Sequence, residues 1–136
     1  MATSSRSGST SDPGGGAHDA WLARDGEVVA ALEVADGRRA RRRGLRGRSD
    51  FGGALLLRPC RQVHTLGMRF PIDVAFVDEE GCVIAVTALR PWRVSRPVLA
   101  ARAAVEAREG SFERWGVGVG ATLEVLDPTA DGASPG

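Results

Sequence analysis

Two apolar runs, Ile72-Asp73-Val74-Ala75-Phe76-Val77 and Cys82-Val83-Ile84-Ala85-Val86, flank the polar stretch Asp78-Glu79-Glu80-Gly81. A glycine at the end of so short a loop accepts the positive φ that closes a β-hairpin. This hairpin constrains the fold more than any other stretch of the sequence. On its second run Cys82, Ile84 and Val86 point to one face and Val83 and Ala85 to the other. Both faces are apolar, so the run is expected in the middle of a sheet.

The remaining elements are short and punctuated by Gly and Pro. Gly26 sits between Trp21-Leu22-Ala23 and Val28 to Val34, which reads as an opening hairpin. Asp36 is placed to cap a brief helix from Gly37 to about Leu45, interrupted by Gly44 and Gly47. Gly53 to Leu57 is a buried strand closed by Pro59. Ala100 to Arg108 has the composition of a helix, yet Ala101, Ala103, Val105 and Ala107 alternate with Arg102, Glu106 and Arg108 as in a half-buried strand, so periodicity leaves both open. Ser111 offers an N-cap for one turn through Trp115, stopped by Gly116, and Thr122 to Leu126 is a last strand before Asp127-Pro128. Together these predict a mainly β fold: a single compact barrel-like or sandwich domain of short antiparallel strands with one or two short helices.

A chain of 136 residues holds one domain. Residues 1–19 and 128–136 are Gly-, Ser- and Thr-rich and are expected to be flexible tails around a β domain of residues 20–127. The N-terminal stretch has no apolar run, which argues against a signal peptide or membrane span and for a cytoplasmic protein. Cys60 and Cys82 are then expected to be reduced, so no disulfide scaffold is predicted. The net charge is only +1, but every basic residue is Arg, and Arg38, Arg39, Arg41, Arg42, Arg43, Arg46 and Arg48 fall within eleven residues free of acid. The rest of the chain is therefore net acidic, which favours docking or self-association between the Arg run and a face such as Asp78 to Glu80 over general affinity for phosphates.

The block Cys60-Arg-Gln-Val-His64-Thr-Leu-Gly-Met68-Arg-Phe-Pro71-Ile-Asp73-Val-Ala-Phe-Val-Asp78-Glu-Glu-Gly81 resembles the family named domain of unknown function 192. The matching positions are His64, Met68, Arg69, Pro71, Asp73, Asp78 and Gly81. The resemblance extends upstream to Arg43-Gly-Leu-Arg46-Gly-Arg48, with Arg46 where the family has Met. Downstream it takes in Gly110, Arg114 and Gly116-Val-Gly-Val-Gly120, with Ala121 where an Asp is usual. The resemblance implies a compact β fold, and it favours a strand near Ala103 to Ala107. The family is uncharacterised, so it implies very little chemistry.

Four candidate sites remain. Cys60, His64 and Met68, spaced by four, would share a face of an unbroken strand and carry the ligand types a soft metal prefers, but core packing is the stronger reading, and no metal or other cofactor is expected. Asp73 lies inside an apolar hairpin and needs a partner: His64, Arg69 or Arg58 in a polar site, or backbone amides near Pro71. Trp92, beside Arg90 and Arg93, either lines a ligand mouth or caps the end of a barrel. The Arg38 to Arg48 run could neutralise phosphates, yet no aromatic is interleaved with it to stack a base. The leading reading is a non-catalytic module binding a small ligand or protein partner through His64, Arg69, Asp73 and Trp92, as a monomer or weak homo-oligomer. The alternatives are a hydrolytic or transfer enzyme with His64 as base and Asp73 as its orienter, and an Arg-mediated binder of nucleic acid or an acidic protein.

Overall fold

The computed structural model describes residues 17–36 and 52–126. The predicted helix after Asp36 and the whole Arg38 to Arg48 run lie outside the described residues. The elements are β1 (Ala17–Arg24), β2 (Glu27–Asp36), β3 (Ala54–Arg58), β4 (Ile72–Val77), β5 (Val83–Leu89), β6 (Ala103–Arg108), α1 (Ser111–Trp115) and β7 (Leu123–Leu126). They form one seven-stranded sheet in the order β5-β4-β6-β3-β2-β1-β7.

The first hairpin turns at Asp25-Gly26, both with positive φ (49° and 89°), the backbone that matches the twist of a tight hairpin. It is longer than the sequence pattern, since Ala17 and His18 pair with Ala35 and Val34, so β1 begins inside the expected tail. β2 and β3 run parallel, Leu32 opposite Ala54 and Asp36 opposite Arg58, which departs from an all-antiparallel sheet. The stretch from Ala100 to Arg108 resolves as strand β6, flanked by β3 and β4 and buried from Ala103 to Ala107. Flanked on both sides and covered on both faces, it cannot be helical whatever its intrinsic propensity.

The sheet curls into a half-barrel. At one end its two edges touch: Val83 N donates to Ala121 O (2.8 Å), Gly120 N to Val83 O (2.9 Å) and Leu123 N to Gly81 O (2.8 Å), with Cys82 bridged to Thr122. Leu22, Leu32, Val34, Leu56, Val105 and Phe112 fill the concave side. The convex side carries Leu55, Leu57, Ile72, Val74 and Phe76, covered by Cys60, Val63, Met68 and Phe70 from the connection between β3 and β4. Strand periodicity sends alternate residues of β3, β4 and β6 into these two cores, so the middle of the sheet is apolar on both faces.

One expectation is corrected. β5 lies at the edge of the sheet, not in its middle, and Val86 and Ala88 are exposed. The bulge between Phe76 and Val77 breaks its pairing at one end, and its apolar residues meet the convex core through Leu89 and the half-buried Ile84 and Ala85. Apolarity on both faces did not make it central: among the described residues, the side of β5 away from β4 is occupied only near Cys82 and Val83.

Candidate functional site

Asp73 is held by backbone, not by His64, Arg69 or Arg58. Its Oδ2 accepts from Gly110 N (3.0 Å) and Phe112 N (3.1 Å), while Glu109 N donates to Pro71 O (3.2 Å). The carboxylate of β4 thus satisfies the open amides at the start of α1, on the concave side of the sheet. Ser111 does not cap this helix as its type suggested: its hydroxyl accepts from Arg114 Nη2 (3.2 Å), and the N-cap position is Gly110. Replacing Asp73 with Ala should lower the unfolding free energy by about 1–2 kcal/mol, and with Asn by less, since one acceptor oxygen remains. Denaturant titration of the two variants checks this.

His64 is exposed, and its Nδ1 accepts from Leu66 N (3.2 Å). It is not hydrogen-bonded to Asp73, so the base and orienter of the enzymatic alternative do not meet. Cys60 and Met68 are buried in the convex core, and the chain between them forms only an isolated bridge at His64. The three possible soft ligands do not share a strand face, and neither Cys60 nor Cys82 is in a disulfide.

The structure does bring His64 and Trp92 together at the backbone. The connections 61–66 and 92–98 lie side by side: His64 bridges Val94, Ser95 N donates to Val63 O (2.8 Å), and Val98 N to Arg61 O (2.7 Å). The clamp is Thr65, which is fully buried. Its hydroxyl donates to Arg90 O (2.6 Å) and accepts from Arg93 N (2.8 Å), while its backbone exchanges bonds with Trp92 N (2.9 Å) and Arg93 O (2.8 Å). These bonds hold Trp92 at φ 64°, a left-handed conformation costly for a bulky residue, with the side chain 64% exposed. Trp92 therefore stands out from the loop.

Around it lies a feature the sequence reading missed. Residues 59–72 and 81–105 contain no Asp or Glu. Arg61, Arg69, Arg90, Arg93 and Arg96 are all exposed there, and none is ion-paired among the described residues. Leu66, Val94 and Leu99 are exposed alongside Trp92. The two stretches are far apart in sequence and become one surface through the bonds of Thr65 and of the neighbouring residues 61–64, so attention to the denser Arg38 to Arg48 run hid them. The remainder of the chain is net acidic, as its composition says, but its acids lie outside these two stretches.

Glu106 was also missed. The alternation in β6 read it as solvent-facing, but it is 3% exposed, paired with Leu55 and Val74 in register, and its Oε1 has no hydrogen-bond partner. Burial pushes its carboxyl up to about 8. Glu33 lies in the same row two strands away, and Arg108 follows two residues on along the same face. Cavities among the described residues lie elsewhere. One of about 430 Å³ lies beside Asp19, Trp21 and Glu33 on the convex side. Another, of about 220 Å³, lies in the half-barrel between Leu22, Val105 and Leu123, with Arg58 and Arg102 at its rim. Neither is lined by His64, Arg69, Asp73 or Trp92.

Residues 20–125 match the family DUF192, described as an uncharacterised ACR. A UPF0127 protein of Pyrococcus furiosus is 42% identical over 62 residues, and one of Pyrococcus abyssi 40%; each match covers 46% of this chain. The chain spans about half the length of these curated relatives, 53% of each. Among solved structures, a candidate transcription regulator from Sinorhizobium meliloti superposes with a TM-score of 0.67 at 19% identity, covering 85% of this chain and 98% of that one. A protein of unknown function from Novosphingobium aromaticivorans gives 0.65 at 16%, covering 79% and 84%. These likenesses establish the half-barrel fold. No helix among the described residues is long and apolar enough to cross a membrane.

Proposed function

The chain belongs to the DUF192 family of uncharacterised proteins, and within it we propose a non-catalytic module that binds an acidic protein partner through the surface displaying His64, Arg69 and Trp92. The observation that carries this reading is the clamped Trp92. A left-handed, exposed tryptophan is unfavourable for the free protein on two counts, and such strain is commonly kept where a ligand is met. Its neighbours fit a protein partner. Trp and Arg are enriched at interfaces and Lys depleted, and aliphatic Val94, Leu99 and Leu66 supply an apolar centre within a ring of guanidinium groups. Aliphatic side chains of this kind add nothing to phosphate binding, which sets nucleic acid behind an acidic protein surface. Asp73, engaged with α1, supports the module from within and is not part of the contact.

The test titrates the protein with a labelled acidic peptide bearing an aliphatic residue and, separately, with a labelled single-stranded oligonucleotide. The peptide should bind in a salt-sensitive manner, and Trp92→Ala should weaken it about tenfold or more, near 1.4 kcal/mol. Tighter binding of the oligonucleotide, or peptide affinity unchanged in Trp92→Ala, would overturn the reading.

A further inference from the structure

The two edges of the sheet are unlike. β7 is four residues long and carries the exposed Glu124. β5 is seven residues long, Val-Ile-Ala-Val-Thr-Ala-Leu, with no charge, proline or glycine. On its outer side Val83 is engaged by Gly120 and Ala121, but among the described residues Ile84 to Leu89 have no backbone partner there. From Ala85 to Leu89 the pairing with β4 is regular, so no bulge twists this part of the edge away. Natural edge strands are short, charged, bulged or covered, because an open ladder recruits another strand. β5 has none of these protections over its last five residues.

Its two ends carry opposite charge. Asp78, Glu79 and Glu80 precede it and Arg90 follows it. Glu79 is paired with Arg102 (3.3 Å), while Glu80 and Arg90 are exposed and have no ion pair among the described residues. We propose that this edge is an interface between two copies of the chain, paired antiparallel about a two-fold axis at Val86, so that Val86 of one copy lies opposite Val86 of the other. In that arrangement the Arg90 end of each strand meets the Asp78 to Glu80 end of the other, so one contact is made twice and the assembly closes. A parallel pairing would set arginine against arginine. The uncharged middle of the strand is self-complementary in either copy, and the exposed Val86 side chains pack across the axis. Trp92 is not required, so although Arg90 belongs to both surfaces, Trp92→Ala separates the interface from the acidic-partner surface.

Sedimentation velocity on the full chain, from low micromolar to near-millimolar concentration, tests the interface. A concentration-dependent dimer is expected. Val86→Lys, a change on an exposed side chain, should raise the dimer dissociation constant about tenfold or more, because two like charges then face each other across the axis. Arg90→Glu should weaken the dimer as well, and adding Glu80→Arg to it should restore association, while Trp92→Ala leaves it intact. Circular dichroism on each variant establishes that it folds, and the Arg90 and Glu80 pair keeps the test alive if Val86→Lys does not. A native chain that stays monomeric throughout, capture of a strand from another protein in place of a second copy, or a dimer indifferent to both Val86→Lys and Arg90→Glu would overturn the inference.

Discussion

The Glu106→Gln variant will keep its stability between pH 5 and pH 8, a range over which the native chain loses a few kcal/mol. Glu106 sits in the convex core with Oε1 unpartnered, and burial alone raises its carboxyl from 4.5 to about 8. The folded chain therefore keeps the proton over a range where the unfolded chain releases it. With more protons bound in the folded state, stability is greatest below the unfolded value and falls as pH rises, levelling off once the folded carboxyl has also ionised. A shift of this size corresponds at most to several kcal/mol. Local relaxation and water entry relieve part of the burial, so a measured loss of about 2–4 kcal/mol is expected. Gln has the same shape and cannot ionise, so its profile should be flat across this window. Asp25, lowered by its hydrogen bond from the Thr122 amide, titrates below it. At pH 9 the variant should unfold roughly 10 °C or more above the native chain, and at pH 5 the two should be close. Profiles that run parallel would show that Glu106 finds a partner, with Glu33 and Arg108 the charged groups on its face to examine first.

The strands were legible from sequence because they are bounded by local chemistry. Gly26 and Gly81 mark turns that need positive φ, Pro59 ends β3, and the apolar runs on either side of Asp78 to Gly81 identify β4 and β5. Lateral order was not legible, since it depends on which strands find each other across long connections. A run rich in Ala and Val serves both β6 inside the sheet and β5 at its edge. Side-chain roles were legible where they are set locally and lost where a distant element supplies the partner. Asp73 was seen to need a partner and to have backbone amides available, but those amides belong to residues 37 and 39 positions further on. Glu106 looked amphipathic because alternation reports one face, and nothing within β6 reveals that residues 59–71 cover the other. Trp92 was picked out for its arginine neighbours, whereas the acid-free surface around it depends on Thr65, an unremarkable residue beside a conspicuous His64.

Thr65→Val should cost about 2–3 kcal/mol and also weaken partner binding, although Thr65 is wholly buried and cannot touch a partner. Valine matches its size and branching, so packing is preserved and the change removes only the hydroxyl. Two backbone groups then lose a bond: the Arg90 carbonyl its donor at 2.6 Å and the Arg93 amide its acceptor at 2.8 Å. A buried polar group left unpaired costs about 1–3 kcal/mol, more than the net worth of the bond itself. The strained residue lies between these two. Trp92 at φ 64° keeps its own amide bond to the Thr65 carbonyl, but the segments on either side are released, and relaxation to an ordinary φ becomes the favourable course. Amide exchange should accelerate at Trp92 and Arg93 while β4 and β6 remain protected, and acidic-peptide affinity should fall even under conditions where the variant is fully folded. Thr65→Ser retains the hydroxyl and loses a methyl group, so it should restore affinity while recovering only part of the stability. If Thr65→Ser binds as poorly as Thr65→Val, the clamp acts through packing and the hydrogen-bond account is wrong. If Thr65→Val binds as well as the native chain, the pose of Trp92 does not depend on Thr65.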